Sequence, residues 1–266
     1  MDMDTTSVGS EKGGIGKTTL TAALAAELAS RGVLVGVMDI DPRHTVTKLL
    51  DVEPRSPGEH IGAIAGVDDV AGAAADIAVT SPWHPNIQVV PGSRDLAALE
   101  SAPQEYGEIR LRDSLAGWDR DVVLFDLPNR QGGFLIRMAL TASRRILYAA
   151  VADEDGRDGV ADGRKNTERF KTLSGLNPHI EEAGIILTRW PDTVTTRNAL
   201  TYRDLIDEEN PGMLLRPFVP ERVIVQEARA GCVWFGAYPK GAPVVAAFAD
   251  LTDTLWPAYA RKEALR

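Results

Sequence analysis

The segment SEKGGIGKTT, residues 10–19, differs from the common phosphate-binding loop at one position. The pattern G-x-x-x-x-G-K-[ST] places a Gly five residues before the Gly-Lys pair, where this chain has Glu11. A second lysine, Lys12, follows directly. The remaining glycines still allow backbone N–H groups to turn inward at the start of a helix, whose dipole favours an anion. The segment therefore predicts a strand, a loop that binds phosphate groups, and a helix that starts at Lys17.

The residue types after the glycines indicate a nucleoside triphosphate with Mg²⁺. Lys17 is expected to reach the β- and γ-phosphates, and the Thr18 hydroxyl is expected to bind Mg²⁺. Thr19 is expected to contact the α-phosphate. A glycine-rich turn that only caps a helix is the alternative, which the strand–loop–helix context disfavours. The nucleotide-binding candidates in this part of the loop are Gly13, Gly14, Ile15, Gly16, Lys17, Thr18 and Thr19.

Composition sets the broad class of the protein. The 266 residues suffice for one large α/β domain, and a single domain over residues 1–266 is expected. No apolar run approaches the roughly 18 residues of a membrane helix, and the N-terminal MDMDTTSVGS lacks the features of a secretory signal. The single cysteine, Cys232, excludes a disulfide framework and a cysteine-rich metal site. A cytoplasmic protein is expected, and the net charge of −9 argues against a surface coated for nucleic acid.

Apolar strand-like runs alternate with helical patterns along the chain. This alternation predicts an α/β fold with a doubly wound, mostly parallel sheet and helices on both faces. The first run is short and polar for a central strand, but the loop after it needs a support. The predicted strands are Thr5–Gly9 and residues 33–39, 87–90, 121–126, 145–151, 183–188 and 214–218. The predicted helices are Lys17–Ser30, Asp158–Leu173 and Ala242–Leu265, the last interrupted at Pro257.

Acidic residues end two of the predicted strands. Asp39 and Asp41 follow the second strand in VLVGVMDID, and Asp126 ends DVVLFD before a Pro and a glycine-rich turn. In a doubly wound sheet, ligands bind at the carboxyl ends of the strands. The second pattern is a Walker B arrangement, in which Asp126 is expected to hold Mg²⁺ through a water. Solvated carboxylates at a strand end are the alternative for Asp39 and Asp41.

KGGIGKTT, residues 12–19, resembles the deviant Walker A motif of the ParA/MinD family of ATPases. The resemblance implies a P-loop NTPase fold with ATP and Mg²⁺ as cofactors. In the family, the extra lysine crosses a dimer interface and meets the phosphates of the ATP bound by the other subunit, where a buried triphosphate needs more positive charge. Lys12 is therefore expected to be an ATP-binding and catalytic residue of a homodimer. A solvated surface charge is the alternative for Lys12.

The resemblance also implies roles for the acidic residues. Asp41 is expected to orient or activate the attacking water, and Asp39 is expected to support the metal shell. Two departures from the family occur here, since Arg43 stands where Gln is usual and Asn129 stands where a second Pro is common. The implied catalytic residues are Lys12, Lys17 and Asp41, and the implied metal-binding residues are Thr18, Asp39 and Asp126.

Later segments are similar to the region of the family that packs near adenine. RPFVPERVIVQEA, residues 216–228, resembles the segment after the last core strand. Arg189 follows the preceding strand, where relatives often have Asn, and is expected either to stack on the base or to lie at the rim. The candidates for base contact are Pro217, Phe218, Val219 and Pro220.

The loop lies near the N-terminus, so the chain is most similar to the short ParA partition ATPases. This likeness implies a slow ATP hydrolase that dimerises with ATP, binds nonspecific DNA in that state, and associates with the nucleoid. A ParB-like centromere-binding adaptor is expected to stimulate hydrolysis. The candidate DNA-binding residues, each of which is otherwise a plain surface charge, are Arg197, Arg203, Arg222, Arg229 and Lys240.

Other functions within the superfamily remain as alternatives. A spatial organiser would position a protein cargo, and the sequence alone does not separate it from a partition protein. A MinD-like membrane-surface ATPase needs a basic amphipathic C-terminal helix, for which PAYARKEALR is short and poor in apolar residues. No membrane partner is therefore expected. An amidoligase would need a small-molecule pocket that the sequence does not reveal.

Overall fold

The computed structural model describes residues 3–10, 12–66, 69–130, 132–191 and 194–261. Its strands are β1 (Asp4–Gly9), β2 (Val35–Asp39), β3 (Val79–Thr80), β4 (Ile87–Val90), β5 (Val122–Asp126), β6 (Arg145–Ala150) and β7 (Glu181–Leu187). Its helices are α1 (Lys17–Ser30), α2 (Thr45–Leu49), α3 (Ile61–Gly66), α4 (Ala73–Ile77), α5 (Leu96–Ser101), α6 (Gly107–Ser114), α7 (Phe134–Ala142), α8 (Glu154–Ser174), α9 (Arg197–Glu209), α10 (Val223–Ala230) and α11 (Ala242–Leu255).

The seven strands of the described residues form one sheet in the order β3-β4-β2-β5-β1-β6-β7. Neighbouring strands are parallel, except that β3 and β4 are antiparallel. The predicted mostly parallel α/β sheet is confirmed. Because the strands are parallel, the carboxyl ends of β1, β2 and β5 meet at one edge, where Asp39 stands in register with Asp126.

Two apolar cores lie on opposite faces of the sheet. In β2, Val37 belongs to the first core and Met38 to the second, and in β5 Leu124 and Phe125 alternate in the same way. This alternation follows from the two-residue period of a strand. The first core also contains α1 and α11, and the second contains α6 and α7.

Helix α1 is enclosed by the first core. Eleven of its fourteen residues are buried, and it packs against the sheet, α2 and α11. Its Ala and Leu residues favour the helix and fill the narrow space between the sheet and α11. The sheet and its neighbours therefore fix the position of the helix that carries Lys17.

The polar first strand is stable because its hydroxyl groups have partners. The Ser7 and Ser143 hydroxyls lie 2.6 Å apart, and the Thr5 hydroxyl accepts a hydrogen bond of 2.8 Å from the Arg144 amide. Thr6 is fully buried, and its hydroxyl donates to the Asp4 carboxylate at 3.0 Å. Buried hydroxyls are tolerated when they are hydrogen-bonded, so this sequence forms a strand beside β5 and β6.

The structure corrects several predicted elements. The predicted strand at 214–218 is absent, because this segment makes only one isolated bridge, at Leu214 with Ile185, and a second bridge lies beyond it at Pro220 with Trp190; Pro217 and Pro220 lack the N–H that a ladder needs. The short strand β3 was not predicted. The last helix ends at Leu255 rather than Leu265, since the residue before Pro257 is disfavoured in helical conformation. Helix α8 begins at Glu154, four residues before the predicted start.

Candidate nucleotide-binding site

The loop between β1 and α1 presents backbone N–H groups to an anion. Gly14 has a φ of 79° and Gly16, the N-cap of α1, has a φ of 90°, conformations that other residues rarely adopt. The free amides of the first turn and the dipole of α1 then favour a phosphate group. Glu11, which replaces the usual first Gly, lies outside the described residues.

Thr188 holds this loop in place through a hydrogen bond. It follows β7 and is buried, and its hydroxyl donates to the Ile15 carbonyl. The hydroxyl oxygen also lies 3.2 Å from the Ala150 carbonyl oxygen. An added Cβ on Gly16 would stand 3.5 Å from the Thr188 hydroxyl. Sequence analysis placed Thr188 only at a strand end, because a single Thr carries no signal of this long-range bond.

Thr188→Val is expected to weaken ATP binding about three- to tenfold and to change the free energy of unfolding little. The reason is that one buried hydrogen bond contributes about 1 kcal/mol, here to the conformation of the phosphate loop. Titration with a fluorescent ATP analogue measures the change. Thr141→Val is the matched control, since the Thr141 hydroxyl bonds within α7 to Arg137. Equal affinities for the two variants would show that Thr188 does not order the loop.

Lys17 and Asp126 form a buried ion pair at the start of α1. The Lys17 ammonium lies 2.8 Å from Asp126 Oδ1, and the two side chains are 3% and 0% exposed. The hydroxyls of Thr18 and Thr21 also donate to this carboxylate, at 2.9 and 3.1 Å. Thr21 was not predicted, although it lies one helical turn after Lys17 on the same face.

The donors around Asp126 fit Mg²⁺. A carboxylate and a threonine hydroxyl, those of Asp126 and Thr18, converge within 2.9 Å. These hard oxygen donors suit Mg²⁺, which in nucleotide sites takes few protein ligands and completes its shell with phosphate and water. The described residues hold no cluster of three or more His, Cys, Asp or Glu side chains placed to bind a metal by themselves.

Asp39 is fully buried beside Asp126. Its Oδ2 accepts hydrogen bonds from the Thr47 amide (2.9 Å) and hydroxyl (2.7 Å). Burial and the nearby Asp126 carboxylate raise the pKa of Asp39 to about 7. A glycine is required at position 92, because a Cβ on this residue would stand 2.8 Å from the Asp39 carboxyl carbon. A cation placed between the two carboxylates would relieve their repulsion, and the support of the metal shell by Asp39 stays a prediction.

Asp41 lies in the loop between β2 and α2 and is only 4% exposed. Its Oδ1 accepts a hydrogen bond of 2.9 Å from the Arg43 amide, and the Arg43 side chain lies 3.6 Å away. Its backbone carbonyl accepts from the His44 amide at 2.7 Å. The turn thus fixes the Asp41 carboxylate at the same sheet edge as Asp39 and Asp126.

Lys12 is held by a different element from Lys17. Its ammonium lies 2.6 Å from Asp155 Oδ1, in the first turn of α8, and its side chain is 42% exposed. The hydrogen bond and charge of Asp155, with smaller contributions from Asp158 and Asp162, raise the pKa of Lys12. The two lysines of the loop therefore contact carboxylates on separate elements, Lys17 at the end of β5 and Lys12 at the start of α8.

A cavity of about 270 Å³ opens beside the phosphate loop. Gly14, Gly16 and Thr19 form its floor, and Thr188 and Arg189 form one wall. A second wall comes from the segment between α9 and α10 and from α10 itself. Its size and position suit the nucleoside part of a nucleotide whose phosphates lie on the loop. The residues of this second wall include Val219, Pro220, Glu221, Val225, Gln226 and Arg229.

The predicted base contacts divide into two groups. Val219 and Pro220 line the cavity, whereas Pro217 and Phe218 are not among the described lining residues; the Phe218 ring instead packs on Trp190 at 4.7 Å. Arg189 lies at the rim, where its guanidinium bonds Glu221 at 2.9 Å and reaches the Gly14 carbonyl at 3.4 Å. The segment 216–228 was predicted to lie near adenine, but Val225 and Gln226 of α10, which line the cavity, were not named as base contacts.

The family model described as "AAA domain" (AAA_31) matches residues 3–181. The chain is also 31% identical over 182 residues to the sporulation initiation inhibitor protein Soj of Bacillus subtilis, covering 67% of this chain and 69% of Soj. The chain belongs to the ParA/Soj family of AAA_31 ATPases. A chromosome partitioning protein ParA of Myxococcus xanthus is 29% identical over 68% of this chain and 63% of that protein. An uncharacterised Pseudomonas putida protein is 27% identical over 83% and 82%.

Solved structures share the fold of this ParA/Soj-family ATPase. An ATP complex of a McdA variant of Cyanothece superposes with a TM-score of 0.83 at 17% identity, covering 98% of each chain. Cobyrinic acid a,c-diamide synthase of Mycobacterium smegmatis, with ADP and magnesium, gives 0.75 at 21% identity over 94% of this chain and 93% of that one. A plasmid partition protein of Borrelia burgdorferi gives 0.69 at 17% identity over 87% and 97%.

The five predicted DNA-contacting residues of this ParA/Soj-family ATPase do not form one row. Arg222 and Arg229 line the cavity beside the phosphate loop, and Arg222 and Lys240 line a second, neighbouring cavity. Arg197 is exposed at the start of α9, and Arg203 bonds Asp204 at 2.8 Å. Because six positions separate the last two, they point about 120° apart around the helix. Their role in DNA binding stays a prediction.

Proposed function

We propose that the chain is an ATP hydrolase that dimerises around ATP and serves as a switch for DNA partition. The observation that carries this proposal is the separation of the two loop lysines. Lys17 pairs with Asp126 inside the site. The Lys12 side chain instead pairs with Asp155 of α8 and is 42% exposed. An exposed lysine next to the phosphate loop is suited to reach the phosphates of a second subunit.

The residues of the site divide the chemistry of hydrolysis between them. The loop amides and Lys17 hold the phosphates, and Asp41 positions the attacking water. Lys12 of the other subunit neutralises charge that develops on the transferred phosphoryl group. Mg²⁺, held by Thr18 and Asp126 with support from Asp39, supplies further neutralisation when bound. Hydrolysis thus requires two subunits, and the state of the nucleotide sets the state of the dimer.

The partition role extends this cycle to DNA and to an adaptor. The dimer binds nonspecific DNA through exposed Lys and Arg residues and associates with the nucleoid, and a ParB-like adaptor stimulates hydrolysis and releases it. Support comes from the ParA and Soj relatives, which are named for chromosome partitioning and sporulation control. The chain acts as one domain, 1–266. Among the described residues, no helix combines the length and apolar character needed to cross a membrane.

Positioning of a protein cargo is the second candidate function. This function would use the same nucleotide cycle. It is supported by the positions of the five predicted DNA-contacting residues, which are spread over α9, the region of α10 and the segment before α11. A single continuous cationic row would favour DNA as the main partner. Purification of the ATP-bound dimer with its bound partners, followed by identification of those partners, separates the two functions.

Asp41→Ala is expected to lower ATP hydrolysis about a hundredfold or more, because it removes the group that positions the water. The variant should elute as a dimer with ATP and as a monomer with ADP in size-exclusion chromatography. Adding Lys12→Ala to this variant should return it to a monomer with ATP, whereas Lys165→Ala, an exposed lysine on α8, should not. The ATP dimer should also retain duplex DNA at low salt and release it at high salt.

Two results would count against this model. A dimer that forms equally with ATP, with ADP and without nucleotide would mean that nucleotide does not control assembly. Tight DNA binding by the nucleotide-free monomer would mean that ATP does not control the DNA contact.

A further inference from the structure

A groove of about 550 Å³ lies beside the predicted catalytic loop, at the carboxyl ends of β2 and β4. His44 and Lys48 come from the segment after β2, and Gly92 and Arg94 come from the segment after β4. We propose that this basic groove receives the acidic start of α8 from a second copy of the chain. This inference rests on the proposed ATP-dependent dimer and assigns a second contact between its subunits.

Lys48 and Arg94 supply the spare positive charge of the groove. Both are exposed, and neither forms an ion pair with a carboxylate of the described residues. Both cations line the groove together with His44, and burial and the two cations lower the pKa of His44. Of the other titratable groups that line the groove, Arg55 pairs with Glu59 at 2.7 Å and His60 with Asp95 at 3.2 Å, and the one lining carboxylate, Glu53, is outnumbered by Lys48 and Arg94. An acidic group from outside would complement the first two.

The same chain carries a matching acidic face on α8. Asp155, Asp158 and Asp162 are close enough to Lys12 to raise its pKa, and Asp155 bonds it directly. Positions 158 and 162 lie one helical turn apart on the same face. This face borders the phosphate loop, because Lys12 of the loop bonds Asp155 at 2.6 Å. In a protein of net charge −9, acidic patches repel one another in a dimer unless cations separate them.

The departure of Lys12 creates the need for new cations. In the proposed dimer, Lys12 leaves Asp155 and reaches the triphosphate of the other subunit. Asp155 and the nearby Asp158 then lie beside a second negatively charged group, and Lys48 and Arg94 of the other subunit compensate them. Twofold symmetry repeats the contact, so each subunit offers one groove and one acidic face.

The groove is connected to the nucleotide site through its floor. Thr47 and Gly92 line it, and the Gly92 amide donates to the Thr47 hydroxyl at 2.9 Å. That hydroxyl donates in turn to Asp39 at 2.7 Å. A segment docked in the groove therefore lies next to the groups that hold Asp39, so any coupling between docking and metal binding acts equally in both directions.

Charge exchange between two variants tests the contact. The first variant carries Lys48→Glu and Arg94→Glu, and the second carries Asp158→Lys and Asp162→Lys, each in the Asp41→Ala background with ATP. Each alone is expected to dimerise about tenfold or more weakly than the Asp41→Ala parent, because like charges then face each other twice. An equimolar mixture should form heterodimers of nearly parental affinity, since both contacts are again complementary. Analytical ultracentrifugation with one labelled variant measures these affinities.

The outcomes separate the contact from the proposed function. If the Asp41→Ala parent does not dimerise with ATP, the dimer itself is wrong, and the groove contact is overturned with it. If the parent dimerises but either variant does so equally well, or the mixture regains nothing, only the groove contact is overturned. Loss of DNA binding with full dimerisation in the first variant would assign the groove to phosphates and also overturn it. Circular dichroism melts check folding, and Asp158→Lys alone replaces the double change if Asp162→Lys unfolds the chain.

Discussion

Lys17→Met is expected to lower the free energy of unfolding by about 3–5 kcal/mol and to abolish ATP hydrolysis. The substitution leaves the Asp126 carboxylate, which is fully buried, without its cation and next to the buried Asp39. Breaking a buried ion pair by removing one partner typically costs this amount, because the remaining charge stays desolvated. Urea unfolding in buffer without nucleotide or Mg²⁺ measures the loss, and phosphate release measures hydrolysis.

The double variant Lys17→Met/Asp126→Asn separates stability from catalysis. It removes both charges, so most of the lost stability should return, while hydrolysis stays absent. Lys165→Met is the matched control for loss of a lysine at an exposed position of α8. A loss below about 1 kcal/mol for Lys17→Met would mean that this buried pair contributes no more to stability than a typical exposed ion pair.

Asp39→Asn is expected to stabilise the metal-free protein at pH 8 by about 2 kcal/mol. The pKa of Asp39 is raised from 3.8 to about 7 by burial and by Asp126. Between these pH values the folded state retains a proton that the unfolded state has lost, so stability falls as the pH rises through this window and levels off above it. A shift of three pKa units corresponds to about 4 kcal/mol of stability that the substitution can recover at pH 8. The asparagine side chain has one acceptor oxygen fewer, so either the Thr47 amide or the Asp41 amide loses its hydrogen bond, which offsets about 1–2 kcal/mol of this gain.

Unfolding curves from pH 5 to pH 8 test this expectation. The wild type should lose stability across the range more steeply than Asp39→Asn, and the two should converge at the acid end. Asp76→Asn serves as a control, because Asp76 is exposed on α4. Parallel pH profiles for wild type and Asp39→Asn would mean that the Asp39 carboxyl is not perturbed in the folded state.

The sequence was sufficient for the parts of the site that follow from local pattern. The glycines, Lys17 and Thr18 share one loop, and Asp126 ends an apolar strand, so spacing and strand direction placed them together. Contacts between distant segments were beyond this reasoning. Thr188 bonds a carbonyl in the phosphate loop across 173 positions of the chain, and no residue type near it indicates that bond.

The errors in the fold have the same origin. The segment 214–218 is apolar enough for a strand, but its pairing depends on which N–H groups a neighbour can meet, and Pro217 removes one. Conversely, the polar β1 is a strand because Ser143 and Arg144, far along the chain, satisfy its hydroxyls. The Lys17–Asp126 pair was likewise hidden, since sequence analysis assigned both side chains to ligands rather than to each other.

The enclosure of α1 limits how this molecule can transmit a signal. A helix surrounded along its length by the sheet, α2 and α11 cannot slide or rotate without opening the first core. In the proposed cycle, changes at the γ-phosphate position therefore leave the scaffold in place and act on the segment after β2, which carries Asp41, and on the end of β5, which carries Asp126. In the proposed function, α1 is a stationary reference for a bound nucleotide, and the two segments that carry Asp41 and Asp126 respond to the presence of the terminal phosphate.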